Sequence, residues 1–200
     1  MVAERVFKYQ IDGEDRIISA NEDWFHFAEE NGAGGLKPEH VLGRSLWGFI
    51  SDRPTAQVYM MLTEGARQHR KPVVFPYRCD SPDRRRYMEL RLSIWGERGV
   101  EFNSRILHEQ ERERVRLLEE REDRSSDYLV ICSWCKKAKL PGARWLEVEE
   151  AVRELQLFHA SRLPQLTHGM CHSCGETCLE MVEREFPGQV AKWAAREVAA

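Results

Sequence analysis

The sequence predicts an α+β protein: a five-stranded antiparallel sheet with a helical insertion on one face, then a charged segment, then a small cysteine-rich unit. Three observations carry this. Strand-like runs come in the order β-β, helices, β-β-β. The charge pattern changes sharply near residue 109. Four of the six cysteines fall in two C-x2-C pairs.

"VFKYQIDGEDRIISAN" alternates apolar and polar residues on both sides of "DGED", which predicts a hairpin. "NEDWFHFAEENG" places Asn21 as N-cap and Gly32 as the stop of a helix. In "RPTAQVYMMLTEGARQHR", Val58, Met61, Leu62 and Ala66 recur near the helical period, with Thr55 a candidate cap. "PVVFPYRCD", "RRYMELRLSIW" and "GVEFNSRIL" read as strands joined by the turns "SPD" and "GERG". Arg84, Arg85 and Arg86 are expected at that first turn, solvated rather than holding an anion.

"IDGEDRIISANEDWFHFA", "VLGRSLWGFI" and "FPYRCDSPDRRRYMELRL" resemble bacterial PAS-like sensor domains, so residues 1–107 are expected to form such a domain. The resemblance implies a sensing or dimerising unit with any ligand between the sheet and the inserted helices. Trp24, Phe27, Trp47, Phe49 and His69 are the candidate lining of that pocket, and its ligand is unidentified. A flavin-reactive cysteine is not expected, because no "NCRFLQ"-like stretch exists and Cys79 lies in "YRCDSP". His69, then His26, are the positions from which a haem ligand would come. Aromatic residues at such spacing more often make a plain core.

Residues 108–126 read as a charged helical linker, a possible coiled coil. Glu109 to Arg124 holds 12 charged residues in 16, seven acidic and five basic. Glu109–Arg112, Glu111–Arg114, Glu113–Arg116 and Glu120–Arg124 are spaced to pair along a helix. Leu107, Val115 and Leu118 form a thin stripe that serves either a spacer or a dimer seam.

Residues 127–200 are expected to form a mostly helical, metal-clamped unit. Two residues between paired cysteines let both thiolates turn toward one ion, and two such pairs make a tetrahedral four-sulfur set. Cys132, Cys135, Cys171 and Cys174 are therefore the metal candidates, with structural zinc the expected ion and His168 or Cys178 as alternates. A thiol–disulfide switch, an iron–sulfur site and entry of His172 into the ligand set stay open. Between the pairs, Trp145, Val148, Val152, Leu155 and Phe158 suggest one amphipathic helix. A second helix is expected around "CLEMVEREF", ended by Pro187-Gly188, and a tail with Val190, Trp193 and Ala194 on one face. "ICSWCKKAKLPGARWLEVEEAV" and "LTHGMCHSCGETCLE" resemble the cysteine module at the C-terminus of many bacterial response regulators and PAS proteins. Cys132, Cys135, Lys136, Lys137, Trp145, Glu149, His168, Gly169, Cys171 and Cys174 carry that match. His172 where proline is usual, and Cys178 as an added thiol, depart from it.

The formal charge of −3 and pI near 6.2 give no general reason to expect nucleic acid or an anionic membrane. No apolar run approaches the roughly 20 residues that span a bilayer, and "MVAERVFKYQ" lacks a secretory h-region, so a cytoplasmic location is expected. No kinase signature, Walker loop, G-x-S-x-G or H-E-x-x-H is present, so no enzyme is expected. The expected function is a signal-transduction sensor or adaptor, homodimeric through the PAS-like unit or linker, contacting an unidentified signalling protein. A redox switch and a nucleic-acid-binding zinc unit, through Lys136, Lys137, Lys139 and Arg144, are the alternatives.

Overall fold

The computed structural model describes residues 5–120 and 123–199, with side chains through 196. β1 (Val6–Ile11) and β2 (Ile17–Ala20) form the hairpin. Its turn closes on Asp12, whose Oδ1 accepts from the backbone N–H groups of Glu14 and Arg16 at 2.8 and 2.9 Å. α1 (Glu22–Glu30) starts after Asn21, whose Oδ1 accepts from Trp24 N at 3.1 Å and from Lys8 N at 3.0 Å. One amide thus caps the helix and ties it to β1. A short α2 (Pro38–Val41) and a 3-10 turn (Leu46–Phe49) lead to α3 (Arg53–His69). Its cap is Asp52 rather than Thr55: Asp52 Oδ1 accepts from Thr55 N at 2.9 Å. Pro54 suits the first helical turn, which places the cap upstream of it.

β3 (Val73–Arg78), β4 (Arg84–Trp95) and β5 (Gly99–Glu111) complete an antiparallel sheet in the order β2-β1-β5-β4-β3. The helices inserted between β2 and β3 give it the PAS-like arrangement. Phe7, Ile11, Phe75, Leu90, Leu92, Val100 and Phe102 are buried on the helix-facing side. On the other side polar pairs face solvent, such as Gln10 with Glu101 and Arg105 with Glu89.

The charged segment departs from expectation. β5 runs on through Glu111, pairing Arg84 with Glu111, Arg85 with Gln110 and Arg86 with Glu109. The three arginines are strand residues, and Arg86 Nε donates to Glu109 Oε1 at 2.7 Å. A run of alternating acids and bases satisfies a strand opposite arginines as well as it satisfies a helix. Residues 112–120 form a loop with a 3-10 turn at Arg116–Leu118; Arg121 and Glu122 lie outside the described residues. No linker helix forms among the described residues. Of the expected stripe, Val115 is buried in the second core, Leu118 packs partly buried against it, and Leu107 is exposed on β5.

The C-terminal unit contains a second sheet: β6 (Arg124–Cys132), β7 (Ala138–Lys139), β8 (Trp145–Leu146) and β9 (Leu163–Gly169), in the order β8-β7-β6-β9. It is therefore less helical than its apolar periodicity suggests. Trp145 lies in β8, α4 spans only Val148–Glu154, and Phe158 is 57% exposed. Gln156, at φ 55°, breaks the helix that was expected to continue. Val115, Leu117, Leu129, Ile131, Val148, Val152 and Leu163 make a second core.

α5 (His172–Glu185) and α6 (Gln189–Ala199) return to the first unit. Cys178, Met181, Val182 and Phe186 pack in the same core as α3 and the first sheet. Phe186 seats on Gly65, where an added Cβ would come within 2.3 Å of its ring. The tail docks on α3 of its own chain: Gln189 Nε2 donates to Met61 O at 3.4 Å, and Arg196 pairs with Glu64 at 2.8 Å.

Candidate metal centre

β6 and β9 pair in parallel, with Cys132 opposite Gly169. Parallel pairing brings both C-terminal strand ends to the same edge, and each strand runs straight into its own C-x2-C pair. The crossover through β7, β8 and α4 accounts for the long spacing between the pairs. The first pair turns on Lys136, at φ 62°, with Lys136 N donating to Cys132 O at 3.0 Å and Cys132 N to Lys137 O at 2.8 Å. Ser133 N donates to Gly169 O at 2.7 Å, stitching the two knuckles together. A Cβ on Gly169 would lie 2.9 Å from Val130, so the close approach depends on glycine there. Cys171 then caps α5, which carries Cys174 in its first turn.

The sulfurs of Cys132, Cys135, Cys171 and Cys174 all lie within 4.8 Å of one another, and Cys135 and Cys171 are 3.8 Å apart. A tetrahedron with metal–sulfur bonds of roughly 2.3 Å has edges of about 3.8 Å, so the set could hold a metal ion. Cys171 N points to Cys132 Sγ at 3.5 Å. Hydrogen bonds from Cys135 and Cys174 hold the Cys132 thiol well below its ordinary range, and Cys174 is pushed up in exchange.

The two alternates stay outside. Cys178 is buried in the first core, and burial pushes its thiol up to about 12. His168 is exposed beside the cluster, and partial desolvation, then Lys136, lower its pKa. Among the basic residues, Lys136 Nζ donates to Ser133 O at 2.9 Å, and Arg144 pairs with Glu154 at 2.7 Å.

The five expected pocket residues do not line one cavity among the described residues. Trp24 packs edge-on against Tyr9, Phe27 lies 4.2 Å from Phe7, and Trp47 Nε1 donates to Asp15 at 2.9 Å. Phe49 is exposed. His69, exposed at the end of α3, stacks on Phe186 at 5.5 Å. The space between sheet and helices is taken by a row of rings: Tyr9 on Phe102 (4.5 Å), Phe102 to Tyr59 (6.5 Å), Tyr59 to Trp134 (6.3 Å) and Trp134 on Phe75 (5.0 Å). Burial pushes the phenols of Tyr59 and Tyr77 far up, as a filled interior should. Trp134 comes from inside the first cysteine pair. The sequence placed it as a spacer between ligands and gave no sign of its partner.

Two polar contacts join the units at the same place. Ser133 Oγ donates to Asp52 Oδ2 at 2.6 Å, and Arg78 N donates to Trp134 O at 2.9 Å. Further along the seam, Arg78 pairs with Asp80 and Glu147, Arg85 with Glu149, and Arg112 with Asp80 and Glu149.

No protein-family model matches the sequence, and no curated protein matches it. Solved structures similar to it include the following three. A domain of an HTR-like protein from Haloarcula marismortui is 14% identical, covering 52% of this chain and 98% of that one at TM-score 0.39. The photoactive yellow protein domain of the sensor histidine kinase Ppr from Rhodospirillum centenum is 18% identical, covering 52% and 87% at 0.38. The PAS domain of Bordetella pertussis BvgS is 15% identical, covering 50% and 71% at 0.34. Among the described residues no helix is long and apolar enough to cross a membrane.

Proposed function

We propose that the chain is a signal-transduction protein of sensor or adaptor type with no catalytic role. A zinc ion at Cys132, Cys135, Cys171 and Cys174 clamps its C-terminal unit onto the PAS-like sheet. The observation that carries this is Trp134: a residue between two ligand cysteines completes the aromatic row of the other unit. Four thiolate ligands leave no open coordination position, which suits a structural ion. Zinc fits the sulfur donor set and stays redox-inert. The resemblance of residues 130–180 to the cysteine modules of response regulators and PAS proteins supports a role in signalling. With its core filled by Trp134, Cys178, Met181 and Phe186, the PAS-like unit responds to the state of the clamp rather than to a ligand in that core.

Elemental analysis of protein purified without added metal tests this, together with its visible spectrum. One zinc per chain and a colourless sample support it. A metal-free or iron-containing coloured sample overturns it. A second reading, a thiol–disulfide switch, draws on the sulfurs of Cys135 and Cys171 lying 3.8 Å apart. It requires the thiols to oxidise reversibly under mild peroxide with loss of metal.

A further inference from the structure

The second sheet has one covered face and one open face. Leu129, Ile131 and Ala138 are buried under α4 and join Val148, Ala151 and Val152 in the second core. Side chains alternate along a strand, and residues directly opposite each other share a face. Val130 is opposite Thr167, Tyr128 opposite Gln165 and Lys139 opposite Trp145, all on the face away from α4. The antiparallel pairing of Ile131 with Ala138 sets Lys139 beside Val130 and Lys137 beside Cys132. Trp145, Lys139, Val130 and Thr167 therefore form one row across all four strands. Tyr128 stands in the next row, roughly 12 Å from Trp145 by strand spacing and rise. Tyr128 is 66% exposed, and neither its ring nor that of Trp145 joins either core. Lys137 and Lys139 form no ion pair among the described residues. No acidic residue stands in either row. Glu147 and Glu149 turn to Arg78, Arg85 and Arg112 at the seam, Glu154 pairs with Arg144, and Asp127 accepts from Ser125 Oγ at 3.2 Å.

We propose that this open face binds single-stranded nucleic acid. Tyr128 and Trp145 offer two separate rings on which bases stack, and Lys137 and Lys139 stand on the same face to meet the phosphates. The chain as a whole is acidic, so the positive charge that matters here is local: the unit's run of acids rides on α4, on the far side of the sheet. A second copy of the chain is a poorer occupant, since two-fold packing would bury both copies' unpaired lysines in one interface. The site gives the signalling role proposed above an output. It depends on strand register and not on which ion the cysteines hold.

Fluorescence anisotropy of a labelled oligothymidylate about twelve nucleotides long, titrated with the full chain across a range of salt, tests the site. The expected result is saturable binding at low salt that weakens as salt rises. Tyr128→Ala, an exposed change, should weaken it by at least about fivefold and leave the salt slope as it was, because a stacking platform is lost and no charge. Trp145→Ala should do the same, and Trp145→Phe, which keeps a ring, should restore most of the loss. Lys137→Ala combined with Lys139→Ala should instead flatten the log–log salt slope by about 1.4, the share of two phosphate contacts on a single strand. No saturable binding at low salt overturns the proposal. So does binding that survives the loss of both rings. A polyglutamate peptide that binds as tightly as the oligonucleotide also overturns it and assigns the face to an acidic protein segment.

Discussion

Trp134 stacks on Phe75 with ring centroids 5.0 Å apart and planes 22° apart, joining the first cysteine knuckle to strand β3 of the other unit. The contact makes the two units one packed body at this point. Trp134→Ala should therefore cost about 3 kcal/mol, the low end for aromatic truncation because the ring is only partly buried. Metal stoichiometry should stay the same, since no ligand is lost. Urea unfolding and elemental analysis of the variant check both halves.

A similar fit joins α5 to α3. Glycine inside a helix is normally worse than alanine by about 0.5–1 kcal/mol. At Gly65 the sign should reverse, because the new methyl would meet the Phe186 ring at 2.3 Å. Overpacking should make Gly65→Ala destabilising by about 1–3 kcal/mol. In a Phe186→Ala background the same change should become stabilising, a sign inversion that a thermal or urea double-mutant cycle measures directly.

Asp52 serves two masters, capping α3 through Oδ1 and accepting from Ser133 through Oδ2. Asp52→Ala should lose about 1 kcal/mol for the cap and more for the hydrogen bond to a charged acceptor. Ser133→Ala alone should lose about 1.5 kcal/mol. The two losses should fall short of additive by at least about 0.5 kcal/mol, because they share one bond. Additive losses would mean that Ser133 and Asp52 do not interact in solution.

The ion-paired seam predicts an acid-sensitive interface. Burial pushes the Glu149 carboxyl up. Its own helix-start backbone N–H, Arg85 and Arg112 outweigh this and hold it below the ordinary 4.5. A carboxylate depressed on folding contributes stability above its unfolded pKa, and that contribution is lost as pH falls through the folded value. Glu149→Gln should therefore lower the urea midpoint at neutral pH, and the gap to the parent chain should close on acidification. A gap independent of pH would contradict the assignment.

Much of the first unit was legible because its signals are local. Asn21 caps where it should, and Val58, Met61, Leu62 and Ala66 all face the core. The clustering of the four cysteines was legible because two residues between paired cysteines let both sulfurs turn to one point. The charged segment was not, since Glu and Arg alternation satisfies a helix surface and a strand facing Arg84 and Arg86 equally well. Nor was β9, whose sequence "LPQLTHG" has no alternation and becomes a strand by parallel pairing with β6. The largest omission was the docking of the C-terminal unit. Phe186 on Gly65 and Trp134 on Phe75 are contacts between distant segments, and no periodicity within either segment announces them.

Hydrogen exchange of the metal-loaded and chelator-stripped chain tests the clamp most directly. A metal holding Trp134 and α5 against the PAS-like core predicts that stripping exposes amides in 132–137 and 172–186. It also predicts lost protection in α3 and β3, including Arg78 N–H, which donates to Trp134 O. If stripping loosens only the cysteine segments and leaves α3 and β3 as protected as before, the site is a local staple and does not couple the two units.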